Sequence, residues 1–217
     1  MITKSEFKNF AVFTVNVSSV EQKTSKEGKP YAIGLATLPI EKGAPMPLRI
    51  VALEGTAGIL SKGELTLVGR LAYEEKDGQS MIIFFPTRIE PAPLDGRLRN
   101  YAYLTLRVGQ DTDSRYSEAG NLWSRVRMAL SQGKDSTGSY KPSLWLTVKG
   151  FTSKEGDESV PKALAALHKG ELATVVGRFS YQVSPDNGKG YYNLIAHKVE
   201  EAGIVPHREV AEADCPY

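Results

Sequence analysis

The feature that most constrains the fold of this chain is an internal repeat. Lys62–Tyr73 reads KGELTLVGRLAY, and Lys169–Tyr181 reads KGELATVVGRFSY, with one additional residue in the second copy. The segments that begin the two copies, Asn9–Val17 (NFAVFTVNV) and Asn100–Val108 (NYAYLTLRV), also align. Because matching blocks recur in the same order at similar spacing, the sequence predicts two domains of one fold.

Composition indicates where the two domains divide. Pro91–Gly96 (PAPLDG) is rich in turn-forming residues, so we expect one domain over 1–92 and a second over 97–201. Residues 97–200 carry 15 Lys/Arg against 10 Asp/Glu, whereas the chain before them is balanced at 11 of each. This excess of positive charge favours a surface on the second domain that binds a polyanion. Residues 203–217 are acidic and contain few apolar side chains, which predicts a short flexible tail.

The spacing of apolar residues within each copy is mostly two, as in β-strands. In Leu122–Leu130 and Leu144–Phe151 aliphatic residues alternate with Trp, Arg, Lys and Thr. Ser159–His168 instead predicts a short helix, and Gly69 and Gly177 are expected where a barrel strand bends sharply. Three strands, a connection and two more strands describe a five-stranded Greek-key barrel of the OB type. The predicted fold is therefore all-β, with two tandem OB-fold barrels and an acidic C-terminal tail.

The second copy carries unusual side chains on the strand faces that point away from its core. Aromatic rings stack on unpaired bases with about 1–3 kcal/mol per base, and Arg and Lys neutralise phosphates. We interpret this face as a surface for single-stranded nucleic acid. The alternative is that the aromatic side chains fill a subunit interface or lie under a loop. The residues concerned are Trp123, Arg125 and Arg127 on one strand, and Trp145, Lys149 and Phe151 on the next.

Weaker candidates lie in or beside the predicted hairpins of the second copy, and some lie in the first. In the first copy Tyr31 aligns with Trp123, but Ile33 and Leu35 replace Arg125 and Arg127. We therefore expect that face to pack between barrels or subunits more than to contact DNA. The further candidates for DNA contact are Arg115, Tyr116, Tyr140, Lys141, Tyr181 and Lys189 in the second copy, and Tyr31 and Tyr73 in the first.

The second copy resembles the bacterial single-stranded-DNA-binding protein (SSB) family. The resemblance is carried by Gly109–Tyr116 (GQDTDSRY), by Leu144-Trp145 with Phe151 six residues later, and by Val176–Arg178 (VGR). It implies that Trp145 and Phe151 stack on bases and that the first long hairpin, with its Arg-Tyr pair, contacts DNA. Most members carry one OB-fold and form tetramers, while tandem members pair as dimers. The resemblance therefore implies a homodimer that presents four barrels.

The C-terminal residues are similar to the acidic tip of the same family, which ends in Asp-x-Pro-Phe. Here the sequence reads Asp214-Cys-Pro-Tyr217. The resemblance implies that Asp214, Pro216 and Tyr217 recruit replication, recombination or repair proteins. The alternative is an ordinary disordered terminus.

The sequence offers little support for an enzymatic function. The three His residues are scattered, and we find neither a metal-ligand spacing nor a phosphate-binding glycine loop, so we expect no catalytic activity and no cofactor. A nuclease on an OB barrel and an RNA-binding or primosome-type accessory protein remain the alternatives, because stacking chemistry does not separate DNA from RNA. A single Cys and the lack of an apolar leader or span predict a cytoplasmic, nucleoid-associated protein.

Overall fold

The computed structural model describes residues 7–76, 79–186 and 188–201, which form two closed β-barrels. Barrel 1 closes in the order β1-β2-β3-β5-β4-β1, and barrel 2 closes in the order β6-β8-β9-β11-β10-β6. The predicted order of three strands, a connection and two further strands is therefore found in both barrels, and it is the OB topology. The strands of barrel 1 are β1 (Asn9–Thr24), β2 (Pro30–Leu38), β3 (Met46–Ala52), β4 (Gly63–Lys76) and β5 (Gln79–Pro91). Barrel 2 contains β6 (Asn100–Val108), β7 (Asp113–Tyr116), β8 (Leu122–Leu130), β9 (Leu144–Phe151), α1 (Ser159–Ala165), β10 (Leu172–Val183) and β11 (Gly190–Glu201).

The connections of the two barrels differ. In barrel 2 the predicted helix is present, although it ends at Ala165, and the short strand β7 was not expected. In barrel 1 the corresponding connection consists of turns. Of the helices in the described parts of the chain, none has the length and apolar composition needed to span a bilayer.

Two glycines bend the long strands that close the barrels. The ladder between β4 and β5 shifts register at Gly69, and the ladder between β10 and β11 shifts at Gly177. A Cβ atom at Gly69 would collide with the backbone at Phe85, and one at Gly177 would collide with the backbone at Ile195. The bends predicted at both glycines are confirmed, and each is a β-bulge that requires close backbone approach.

The two barrels are joined by a strand ladder that the sequence analysis did not predict. β1 and β6 pair antiparallel, with Ala11 opposite Ala102 at the centre and Asn9 opposite Leu104. In the repeat alignment Ala11 is equivalent to Ala102, so the ladder has a pseudo-two-fold axis between them. The described residues therefore form one eleven-stranded sheet in which barrel 1 pairs with barrel 2 as two copies of one subunit would.

Equivalent asparagines at the two ends of this ladder each bind the next strand of their own barrel. The Asn9 amide donates to the carbonyl of Leu71 (2.8 Å) and accepts from its N–H (2.9 Å). Asn100 makes the same pair with Phe179, at 2.9 and 2.8 Å. Beneath them Phe13 of barrel 1 packs edge-on against Phe179 of barrel 2, with ring centroids 5.5 Å apart, so the two cores are continuous.

Candidate nucleic-acid interface

The candidate site lies on β7, β8 and β9 of barrel 2. Along β8 and β9 buried residues alternate with more accessible ones, because aliphatic side chains fill the barrel and their neighbours point outward. Trp123 lies opposite Phe151, Arg125 opposite Lys149, and Ala129 opposite Trp145. We call the outward set the stacking face, and the structure places all six predicted residues on it: Trp123, Arg125, Arg127, Trp145, Lys149 and Phe151. That they bind DNA stays a prediction.

An aromatic row forms the upper part of the stacking face. Arg115 of β7 lies opposite Trp123 of β8, and Trp123 lies opposite Phe151 of β9. The Phe151 side chain is 49% exposed, and Trp123 is half-buried with the Arg125 guanidinium 5.7 Å from its ring centroid. The two neighbouring rings form an apolar platform beside two cations, which suits an unpaired base and its phosphate.

An ionic row lies next to the aromatic row, formed by Asp113, Arg125 and Lys149 on the three adjacent strands. Asp113 binds Arg115 through one carboxylate oxygen (2.9 Å) and Arg125 through the other (3.0 Å). Hydrogen bonding to the Arg115 guanidinium is the main cause that lowers the pKa of Asp113. Desolvation, assisted by the nearby Arg125 charge, lowers the pKa of Lys149. Three cations and one carboxylate therefore share this part of the face.

Trp145 lies across the sheet at the lower end of the stacking face. Its ring passes over Ala129 and lies against Gly109, where an added Cβ atom would be 2.8 Å from Cη2 and closer still to Cζ3. The Arg127 guanidinium is 5.6 Å from the ring centroid, and its enclosed Nε has no hydrogen-bond partner among the described residues. Packing on the indole offsets the cost of that unpaired donor. Trp145 and Arg127 thus form a second aromatic and cationic pair.

The loop between β8 and β9 extends the site beyond Trp145. Lys134 and Tyr140 pair across this loop, with the ammonium 5.0 Å from the ring centroid, and Tyr140 and Lys141 are exposed. At the base of the loop the Gln132 amide donates to the carbonyl of Tyr73 in barrel 1 and accepts from its N–H, both at 2.9 Å. The predicted loop residues Tyr140 and Lys141 therefore stand on a segment that is attached to the other barrel.

Tyr116 does not share the surface of Arg115. It lies opposite Leu122, whose side chain faces the core, so it projects from the opposite face of the β7–β8 hairpin. On that side its phenol is close enough to raise the pKa of Lys162 in α1, although the first cause of that shift is the hydrogen bond with Glu158. Adjacent strand residues point to opposite faces, so we remove Tyr116 from the candidate site.

Tyr73 and Tyr181 also lie elsewhere than predicted. Both are partly buried against the core, at the junction between the long β4–β5 hairpin and the β10–β11 hairpin. The Tyr181 ring contacts the Tyr192 ring in a tilted arrangement with centroids 5.3 Å apart, and Tyr192 interacts with Tyr73 and with the backbone at Ile82 in barrel 1. We therefore assign Tyr73 and Tyr181 to the barrel junction and remove them from the DNA-binding set.

The corresponding face of barrel 1 differs in chemistry. Tyr31 is half-buried, Leu35 is 49% exposed, and neither Ile33 nor Leu35 belongs to the β1–β6 ladder that joins the barrels. Packing of these two residues between barrels is thus a wrong expectation, because equivalent first strands supply that contact. Arg49, opposite Leu35, is paired with Glu74 at 2.8 Å. Lys23, opposite Tyr31, is likewise paired with Glu21 at 3.1 Å, so this face is mainly apolar and both of these cations are neutralised.

The last predicted residue, Lys189, is exposed in the turn between β10 and β11.

Two residues that shape the site were not predicted from the sequence. Gly109 and Asp113 lie in the same GQDTDSRY segment as Arg115, and the alternation of Asp113 and Arg115 already indicated a shared strand face. The contact between Gly109 and Trp145 depends on the path of β9, so the sequence around Gly109 does not predict it.

Neither the protein-family models nor the curated proteins contain a match to the chain. Two solved structures of the single-stranded DNA binding protein from Thermus aquaticus are similar to it. A deletion mutant of that protein has 19% sequence identity and a TM-score of 0.59, covering 95% of this chain and 99% of the other. The wild type has 18% identity and the same TM-score, covering 93% and 96%. At this sequence identity the structural likeness confirms the predicted fold, which is two tandem OB-fold barrels. The predicted resemblance to tandem SSB proteins is therefore confirmed at the level of the fold.

Proposed function

We propose that the chain binds single-stranded DNA without strong sequence preference, with barrel 2 as the principal binding domain. The observation that carries this proposal is the order of side chains on the stacking face. Trp123 and Phe151 form one platform, Trp145 forms a second, and the cations Arg125, Arg127 and Lys149 lie between them. Solved structures of a single-stranded DNA binding protein with the same fold support the proposal.

The order of these side chains favours single strands over duplexes. A base can stack on an exposed ring only if it is not paired and stacked within a helix, and each stacked base contributes about 1–3 kcal/mol. Along β8, residues two apart are separated by roughly 7 Å, so an aromatic ring and a cation can engage a base and its neighbouring phosphate together. None of these contacts reads the edges of the bases, which is why we propose little sequence preference.

Titration with oligo-dT of graded length, followed by quenching of Trp fluorescence, tests the proposal. We expect quenching by single strands and an affinity that falls as salt rises, because bound cations release counterions from the strand. A blunt duplex of equal length is the control, and equal affinity for both would contradict base stacking. An unstructured RNA of the same length tests the RNA-binding alternative, and incubation of labelled DNA with Mg²⁺ or Ca²⁺ tests the nuclease alternative.

We also propose that two chains pair through the outer face of the β1–β6 ladder. There Phe10 lies opposite Tyr103 and Val12 lies opposite Tyr101. Phe10 and Tyr101, which are equivalent in the repeat, are each 40% exposed. Exposed apolar surface of this kind is stabilised when it is buried against the same face of a second copy, and the pseudo-two-fold axis gives such a pair approximate 222 symmetry. Such a homodimer presents four barrels.

Light scattering of the full chain tests this assembly against a Phe10→Glu variant. We expect a dimer for the unchanged chain and a monomer for the variant, because the substitution places a carboxylate in the apolar contact. Ile59→Glu, at an exposed apolar residue of the turn between β3 and β4, is the control because it adds the same single negative charge. A monomeric unchanged chain would overturn the proposed assembly and leave the DNA-binding proposal intact.

The acidic tail adds a proposal about partners in replication, recombination or repair. Asp214, Pro216 and Tyr217 lie outside the described residues, so the proposal rests on their similarity to the tip of the SSB family. Pull-down of such proteins with the full chain and with a chain that lacks 214–217 tests it. We expect the deletion to abolish recruitment and to leave DNA affinity unchanged or slightly higher, since the acids compete with phosphates. Equal recruitment by both chains would contradict it.

A further inference from the structure

The carboxylate of Asp113 is held between two arginines on the stacking face. One of its oxygens is 2.9 Å from Nε of Arg115, and the other is 3.0 Å from both Nε and Nη2 of Arg125. The Asp113 side chain is 28% exposed, whereas those of Arg115 and Arg125 are 65% and 53% exposed. The carboxylate is thus the inner member of a group whose cations face the solvent.

Phosphate and carboxylate compete for the same donors of a guanidinium. A carboxylate and the two non-bridging oxygens of a phosphodiester each present a pair of charged oxygens that accepts two parallel N–H bonds from the arginine fork. The two arginines flank Trp123, since Arg115 lies opposite it and Arg125 lies over its ring. A strand whose base stacks on Trp123 therefore brings a phosphate towards the donors that Asp113 occupies.

We infer that Asp113 is an internal competitor for the DNA backbone, which occupies one phosphate site of the stacking face and weakens its affinity for single strands. The inference rests on the proposed function and adds a negative determinant to it. Without DNA, Asp113 also offsets the repulsion between Arg125 and Lys149, which lie directly opposite each other. On binding, a phosphate replaces the carboxylate at one or both guanidinium groups.

The substitution Asp113→Asn tests this inference, because it removes the charge and preserves the shape of the side chain. Asp111→Asn is the matched control: Asp111 is exposed, lies two residues away and takes part in none of the ion pairs found among the described residues. Both variants change the net charge of the chain equally. Affinity for oligo-dT is measured for the full chain and both variants over a series of salt concentrations, with thermal melting to verify the fold.

We expect Asp113→Asn to bind more tightly than the unchanged chain and to show a steeper dependence on salt. One additional phosphate contact on a single strand changes the slope of log K against log salt by about 0.7. Between about 200 mM and about 50 mM salt, the advantage of the variant should then grow by about 2.5-fold. Asp111→Asn should keep the slope of the unchanged chain.

Three outcomes overturn the inference and are distinguishable from one another. If the unchanged chain quenches on oligo-dT but Asp113→Asn has an equal slope or binds more weakly, Asp113 only positions the arginines and the proposed function stands. If the unchanged chain binds no single strands, the proposed function fails and the inference fails with it. An equal gain in both variants would mean that total charge, and not the site of Asp113, sets the affinity.

Discussion

Replacement of Gly109 by Ala should displace Trp145 from the stacking face without unfolding barrel 2. A Cβ atom at this position would lie 2.8 Å from Cη2 of the indole and 3.2 Å from the carbonyl oxygen of Arg127. The backbone N–H of Gly109 donates to that same carbonyl at 2.8 Å, which holds the two strands together. The indole end is the part that can move, so we expect the ring to swing outward while the strand pairing persists.

The expected loss of affinity follows from what the ring supplies. A displaced indole no longer stacks on its base, and one stacked base contributes about 1–3 kcal/mol. This free energy corresponds to a rise in Kd for oligo-dT of about 5-fold to 150-fold. The Arg127 guanidinium also loses the ring on which it packs, so its enclosed Nε is left with neither an aromatic neighbour nor a hydrogen bond. Trp145→Ala removes the same ring from both the base and Arg127, so we expect the loss for Gly109→Ala to approach that of Trp145→Ala without exceeding it.

A double-mutant cycle decides whether Gly109 acts through Trp145. Affinities for oligo-dT are measured for Gly109→Ala, Trp145→Ala and the double variant, with Gly55→Ala as the control at an open position. If the reasoning holds, Gly109→Ala has little further effect once Trp145 is absent. Additive losses would refute it, as would a Gly109→Ala variant that binds as tightly as the unchanged chain. Thermal melting separates displacement of the ring from loss of the fold.

Two further predictions concern the inequality of the barrels and the junction between them. Phe151→Ala should weaken binding of oligo-dT by about 1–3 kcal/mol, whereas Leu35→Ala on the corresponding face of barrel 1 should leave Kd unchanged. Equal losses by fluorescence titration would show that both faces bind. Burial is the main cause that raises the pKa of Tyr192 to about 12, from 10.0 in the unfolded chain. The unfolded chain then releases this proton first, so the free energy of unfolding should fall by about 2 kcal/mol between pH 10 and 12. Denaturation of a Tyr192→Phe variant should lack that part of the decrease, and identical pH profiles would contradict the assignment.

The strands and the stacking face were predictable because alternation of apolar and polar residues fixes which side chains point outward. The same rule was available for Tyr116 and was not applied to it. Arg115 and Tyr116 are neighbours in a strand, so they cannot share a face, yet their place in a predicted hairpin and the family resemblance favoured both. Here local geometry was a better guide than the motif.

The positions of Tyr73 and Tyr181 show a different kind of error. They are equivalent in the repeat, and only barrel 2 carries the aromatic and cationic face. A residue present in both copies is better explained by a role that both copies share, and the barrel junction is such a role. The pairing of β1 with β6 could not be predicted in the same way, because a strand edge offers backbone hydrogen bonds that carry little sequence information.

The fused arrangement explains how the two barrels can differ so much at one face and so little at another. The β1–β6 ladder and the contact of Phe13 with Phe179 each join one copy to the other, so a change in one copy of the junction disturbs a contact with the other. The outward faces have no such partner within the chain, and Ile33 can replace an arginine there without any loss to the ladder. In an assembly of identical single barrels every face would be repeated. Two barrels in one chain keep the symmetric junction and allow one face to specialise in stacking and phosphate binding.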